Sequence, residues 1–76
     1  MRIVEARRLS DNPTDAAAAF LQGTVPQVRA AIEAGDLPLC LVFDPADHTH
    51  TAWRLAAVQA LAREAAPRRV NAVAGD

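Results

Sequence analysis

Two aspartates and two histidines fall within the seven residues Asp44–His50 of the stretch "FDPADHTHTAWRL" (43–55). Carboxylate oxygens and imidazole nitrogens are the donors that zinc and other first-row metals accept. A histidine beside a carboxylate can also act as a general base. Asp44, Asp47, His48 and His50 are therefore a candidate ligand site, with Ser10 and Asp76 as neighbours if the strands before them end side by side. A simpler reading is preferred. Asp44 and Pro45 open a turn, Asp47 or Thr49 caps a helix through its side-chain oxygen, and the histidines are solvent-exposed residues of the first turn. On a helix, residues two apart point about 200° from each other, so a helix beginning before His48 keeps the two imidazoles off a common metal. The chain has no third histidine, and Cys40 is its only cysteine.

The cluster sits between two elements that would position it. "LPLCLVFD" (37–44) is an apolar run without polar alternation, which suits a strand buried on both faces of a parallel sheet. "HTAWRLAAVQALAREAA" (50–66) reads as a helix. Its core stripe is Leu55, Val58, Leu61, Ala62 and Ala65, its second apolar strip is Trp53, Ala57 and Ala60, and Pro67 stops it. Upstream, "RIVEARRL" (2–9) is a weak strand with Ile3, Glu5, Arg7 and Leu9 on one face, its charges suiting a sheet edge. "SDNPTDAAAAFLQGTVPQVRAAIEAGD" (10–36) is helical. Asp11 or Asn12 caps it, Pro13 takes the first position, and Gly35 supplies the left-handed stop. The stripe Ala17, Phe20, Leu21, Val25, Val28, Ile32 runs through Gly23 and Pro26. That predicts one long helix kinked near Gly23, with two short helices as the alternative. "RRVNAVAGD" (68–76) is a third strand.

The order β-α-β-α-β with short connections predicts an α/β fold: a Rossmann-like half-domain in a single domain, 1–76. Right-handed crossovers give a three-stranded parallel sheet in the order 1-2-3, with both helices on one face. The other face is then bare, and the second strand is too apolar to meet water there, so a second copy, another protein or the chain ends should cover it.

Composition narrows the chemistry. A chain of 76 residues buries only about 60% of its unfolded surface and is marginal without disulfides, metal or oligomerisation. One cysteine allows no internal disulfide, and Cys40 reads as a small buried hydrophobe. The net charge of −1 offers no basic field for nucleic acid. All eight basic side chains other than histidine are arginine, and tyrosine is absent. Schiff-base chemistry, a phosphate-loop lysine and a phenolic acid/base are thus excluded. No run approaches the roughly 18 apolar residues of a membrane span. The expectation is a cytoplasmic protein, and the alanine- and arginine-rich, lysine-free composition points to a GC-rich bacterial genome.

The last third, "LAAVQALAREAAPRRVNAVAG" (55–75), resembles the segment after the catalytic lysine of short-chain dehydrogenases/reductases. In that family a small-residue helix leads into Ala-x-Glu, a proline and a strand reading Arg-Val-Asn-Ala-Val. Here those are "AREAAP" and "RRVNAV". The remainder fits by architecture, with 1–9, 13–34 and 38–44 as that fold's fourth strand, fifth helix and fifth strand. The resemblance implies the second half of an NAD(P)-binding domain, similar to stand-alone proteobacterial half-domains. The family's tyrosine and lysine fall on Thr51 and Leu55, and its serine on Asp44 or Pro45. Its Pro-Gly after the last strand is replaced by Ala74, Gly75 and Asp76. Its glycine-rich phosphate turn belongs to the missing half, and the glycines at 23, 35 and 75 are too dispersed to imitate it. Asn71 matches a framework position.

The expected protein is therefore non-catalytic and without a cofactor, acting through homo-oligomerisation or a protein partner. Family members commonly pair the long helix and the tyrosine-bearing helix into a four-helix bundle, which would place Phe20, Trp53, Ala57 and Ala60 at an interface. Helix-favouring surface alanine is the alternative to such an interface. The alternatives for function are a small-ligand or nucleotide-binding protein using Asp44, Asp47, His48 and His50, and a metal-assisted enzyme using Asp44, Asp47 and His48.

Overall fold

The computed structural model describes residues 2–74. The chain runs β1 (Arg2–Ala6), α1 (Pro13–Ala19), a π-helical turn (Phe20–Thr24), α2 (Val25–Ala34), β2 (Leu39–Phe43), a short 3-10 turn (His48–His50), α3 (Thr51–Ala65) and β3 (Val70–Ala74). The strands form one parallel sheet in the order β1-β2-β3. Its register aligns Val4 with Leu41 and Ala72, and Ala6 with Phe43 and Ala74. This is the Rossmann-like α/β half-domain that the sequence predicts.

The helices follow from local chemistry. Asn12 caps α1, its Oδ1 accepting from the Asp15 amide at 3.0 Å, and Pro13 fills the first position. Gly35 ends α2 in the left-handed region, with φ of 79°. Residues 13–34 run as one helical stretch disturbed at Gly23, where a π-helical turn, Phe20–Thr24, carries the chain across Pro26. The proline offers no N–H, and its ring crowds the carbonyl of Gln22. The Val25 amide bonds to the Phe20 carbonyl, five residues back, which opens the turn and admits the ring. The wide turn also rotates the residues before it relative to those after. Ala16, Phe20, Thr24, Val25, Val28 and Ala31 point inward, while Leu21, placed by the sequence in the stripe, is 60% exposed.

The core lies between the helices and one sheet face. Val4, Ala6, Leu39, Leu41, Phe43 and Val70 meet Phe20, Val25, Val28, Ala31, Leu61 and Ala65 in a single buried cluster. Leu61 and Ala65 of the expected core stripe are buried, and Leu55, at its margin, is 56% exposed. Arg29 and Glu64 join α2 to α3 across 3.1 Å.

The opposite sheet face carries Ile3 and Glu5 on β1, Cys40 and Val42 on β2, and Asn71 and Val73 on β3. No described element covers it. Ile3 is 55% and Val73 52% exposed, and Cys40 and Val42 are half-buried by their neighbours alone. Cys40 is thus not the fully buried hydrophobe the sequence suggests. It lies on the uncovered side.

Candidate functional site

The carboxyl ends of β1 and β2 open into a cleft of about 510 Å³, bordered by Leu9, Ser10, Asp11, Asp44, Asp47, His50 and Arg54 among others. In parallel α/β sheets this is where ligands ordinarily sit. Asp44, Asp47, His50 and Ser10 meet there as the sequence predicts. Exposed His48 does not line the cleft, and Asp76 lies outside the described residues.

Each cleft residue has a local partner. Asp44 stands at the end of β2, where its carboxylate accepts from Arg7 Nη1 at 2.9 Å and from the Arg8 amide at 2.6 Å. Those bonds, the backbone one foremost, hold its pKa below the ordinary carboxylate value. Arg8 reaches this amide geometry with φ of 61°, in the left-handed region. The Asp44 carbonyl accepts from Arg54 Nη1 at 2.9 Å, so one residue ties β1 and α3 to β2. The Arg54 guanidinium lies 4.6 Å from the centre of the Phe43 ring. Burial lowers the Arg54 pKa, against the attraction of Asp44, and its Nε is buried without a partner.

Asp47 is the cap. Its Oδ1 accepts from the Thr49 amide at 3.0 Å and from the Thr49 hydroxyl, and these bonds lower its pKa, the hydroxyl first. The turn-and-cap reading of Asp44, Pro45 and Asp47 describes the geometry. For His50 neither sequence reading holds. It is not a solvent-exposed first-turn residue, because it is buried. Nor is it a free ligand, because both ring nitrogens are engaged. Trp53 Nε1 can only donate, and it does so to His50 Nδ1 at 3.0 Å. The proton is therefore on Nε2, which donates to the Asp11 carbonyl at 3.1 Å. His50 pins the loop before α1 to the start of α3. Among the described residues, no group of three histidine, cysteine, aspartate or glutamate side chains is placed to hold a metal ion.

The sequence reading did not single out Arg7, Arg54 or the Asp11 carbonyl. The only signal for Arg54 was its place seven residues after the Asp47 cap, beside Trp53.

Of the residues expected at a helix-pairing surface, Phe20, Trp53 and Ala57 border one shallow groove together with Ala17, Leu21 and Ala56. Phe20 is fully buried and offers nothing to a partner. It stacks on Phe43 at 5.5 Å, and Trp53 closes the trio at 5.4 Å from Phe20 and 5.9 Å from Phe43. Ala57 is half-buried and Ala60 exposed. The aromatic residues meet because α1 and α3 share one sheet face.

A dinucleotide does not fit these residues. It requires a glycine-rich turn whose amides meet the phosphates at a strand end. Gly23 lies mid-helix, Gly35 lies at the far end of α2, and the cleft rim is acidic. Thr51 begins α3, and Leu55 points outward.

Among the described residues no helix is long and apolar enough to cross a membrane. No curated protein and no solved structure matches the chain. A family model described as "Short chain dehydrogenase-like protein" matches residues 4–76. That span takes in all of the helices, β2, β3 and most of β1, and the chain belongs to this SDR-like family.

Proposed function

We propose that the protein is a non-catalytic Rossmann-like half-domain that works by contact with another polypeptide, a second copy or a different protein, held against the open face of its sheet. The observation that carries this reading is the central strand β2, apolar on both sides with one side uncovered. Cys40 lies there between Ile3 and Asn71, and Val42 between Glu5 and Val73. A parallel sheet is ordinarily covered on both faces, and a contiguous exposed apolar patch marks an interaction surface. The non-catalytic part is supported by the absence of tyrosine and lysine from the chain and by the engagement of both His50 ring nitrogens within the fold. Sedimentation velocity tests the reading. Association that weakens in Val42→Glu supports it. A compact monomer that binds no apolar-surface dye overturns it.

A second reading, a small-ligand protein, is favoured by the strand-end cleft. A ligand that binds only the folded state raises the melting temperature. Thermal shift with ATP, repeated in Asp44→Asn, tests it, and no shift removes its support.

A further inference from the structure

Between α3 and β3 lies a groove of about 330 Å³. Its sides are apolar, with Leu55 and Val58 on α3 and Val70 and Ala72 on β3. Leu55 is largely exposed and Val58 half-buried. Phe43 and Arg54 also border the groove, and Arg54 is the only charged residue among the described ones that do. The same arginine borders the strand-end cleft, but there Asp11, Asp44 and Asp47 share the lining. One cation thus stands between an acidic cleft and an otherwise uncharged groove.

The charge of Arg54 is poorly matched within the fold. Its guanidinium lies over the Phe43 ring. Nη1 makes the one hydrogen bond of this side chain to a described residue, to the Asp44 carbonyl at 2.9 Å. The Asp44 carboxylate itself is taken by Arg7 and the Arg8 amide, and no described carboxylate forms an ion pair with Arg54. Nε is enclosed without a partner, so the cation is neither fully hydrated nor paired. A charge in that state costs free energy until an opposite charge meets it. The three carboxylates of the cleft repel an anion, and the groove does not. We infer that the groove binds a small organic monocarboxylate, its carboxylate on Arg54 and its apolar body along Leu55, Val58 and Val70. A single cation suits one negative charge rather than a phosphate dianion. A groove at the small end of ligand-site volumes suits a free acid. The groove lies on the helix side of the sheet, so its occupancy is independent of what covers the open face.

Titration of the full chain with hexanoate, followed by two-dimensional amide NMR spectra at constant ionic strength and neutral pH, tests this. Saturable shifts are expected in α3 around Arg54, Leu55 and Val58 and in β3, with a dissociation constant on the order of 1 mM. Acetate lacks the apolar body and hexanamide lacks the charge, so each should bind at least about tenfold more weakly. Arg54→Met should abolish saturable binding, with circular dichroism to verify folding. Leu55→Glu changes an exposed residue, keeps the fold and sets a carboxylate beside the groove, and it should weaken hexanoate by about tenfold. Absence of saturable shifts overturns the site. Equal binding of hexanamide, or hexanoate binding unchanged in Leu55→Glu, overturns the recognition of charge. Shifts at Ser10, Asp11, Asp44 and Asp47 instead would put the anion in the strand-end cleft and overturn the groove. Shifts in α3 and β3 that follow protein concentration without hexanoate would put a second copy in the groove and overturn the free acid.

Discussion

The indole N–H of Trp53 is donated to Nδ1 of His50 at 3.0 Å, so the two residues fix each other across the first turn of α3. His50→Phe keeps a ring but removes both hydrogen bonds, leaving the Trp53 donor and the Asp11 carbonyl without partners. Stability should fall by about 1–3 kcal/mol. Trp53 is the only tryptophan, so urea unfolding followed by its fluorescence reads the loss directly. An unchanged unfolding midpoint in the variant would show that the imidazole is not a pin.

Asp44 and Asp47 should contribute to the acid limb of stability. Both have folded-state pKa values below the ordinary 3.8. A carboxylate held down by folding contributes stability that is complete above its unfolded pKa and is lost as pH falls through the folded one. Stability should therefore be flat with respect to these two groups above the carboxylate range and decline below 3.8. Asp44→Asn cannot ionise and should flatten part of that decline, while lowering stability at neutral pH, where its bond to Arg7 is lost. Urea midpoints measured across the acid range give the two slopes. Equal slopes would remove Asp44 from this role.

The two described glycines predict effects of opposite sign. A Cβ added at either meets nothing within 4 Å, so only backbone terms act. Gly35 has φ of 79°, and Gly35→Ala should cost about 1 kcal/mol. Gly23 lies within the helical run, and Gly23→Ala should add about 0.5–1 kcal/mol by reducing unfolded-state freedom. Thermal melts of the two variants should move in opposite directions.

Strand order, parallel pairing, both caps of residues 13–34 and the uncovered face were legible because each depends on short-range pattern: the unbroken "LCLVF", Asn12-Pro13, and Gly35. The π-helical turn was not. Pro26 announces a disturbance, but a missing N–H and a crowding ring are met equally by a kink, a break or a widened turn. His50 was misplaced for a related reason. Its burial requires the loop at Asp11 to arrive over it, and no local period encodes that arrival. Asp47 was legible as a cap because its partner, Thr49, is two residues away.

The aromatic trio allows a last contrast between a residue expected at a surface and one found there. Phe20 is fully buried against Phe43 and Trp53, so Phe20→Ala leaves a cavity and should cost about 3–5 kcal/mol. A domain of this length has a total stability of about 4–11 kcal/mol, so the variant should be close to unfolding at room temperature. Ala60 is exposed on α3. Ala60→Gln should change stability by no more than about 0.5 kcal/mol and leave the oligomeric state unaltered. If α1 and α3 instead paired with a second copy through their alanine-rich sides, Ala60→Gln would shift sedimentation toward the monomer, while Phe20→Ala would still leave its cavity. Circular dichroism melts of both variants, run beside sedimentation, separate the two outcomes.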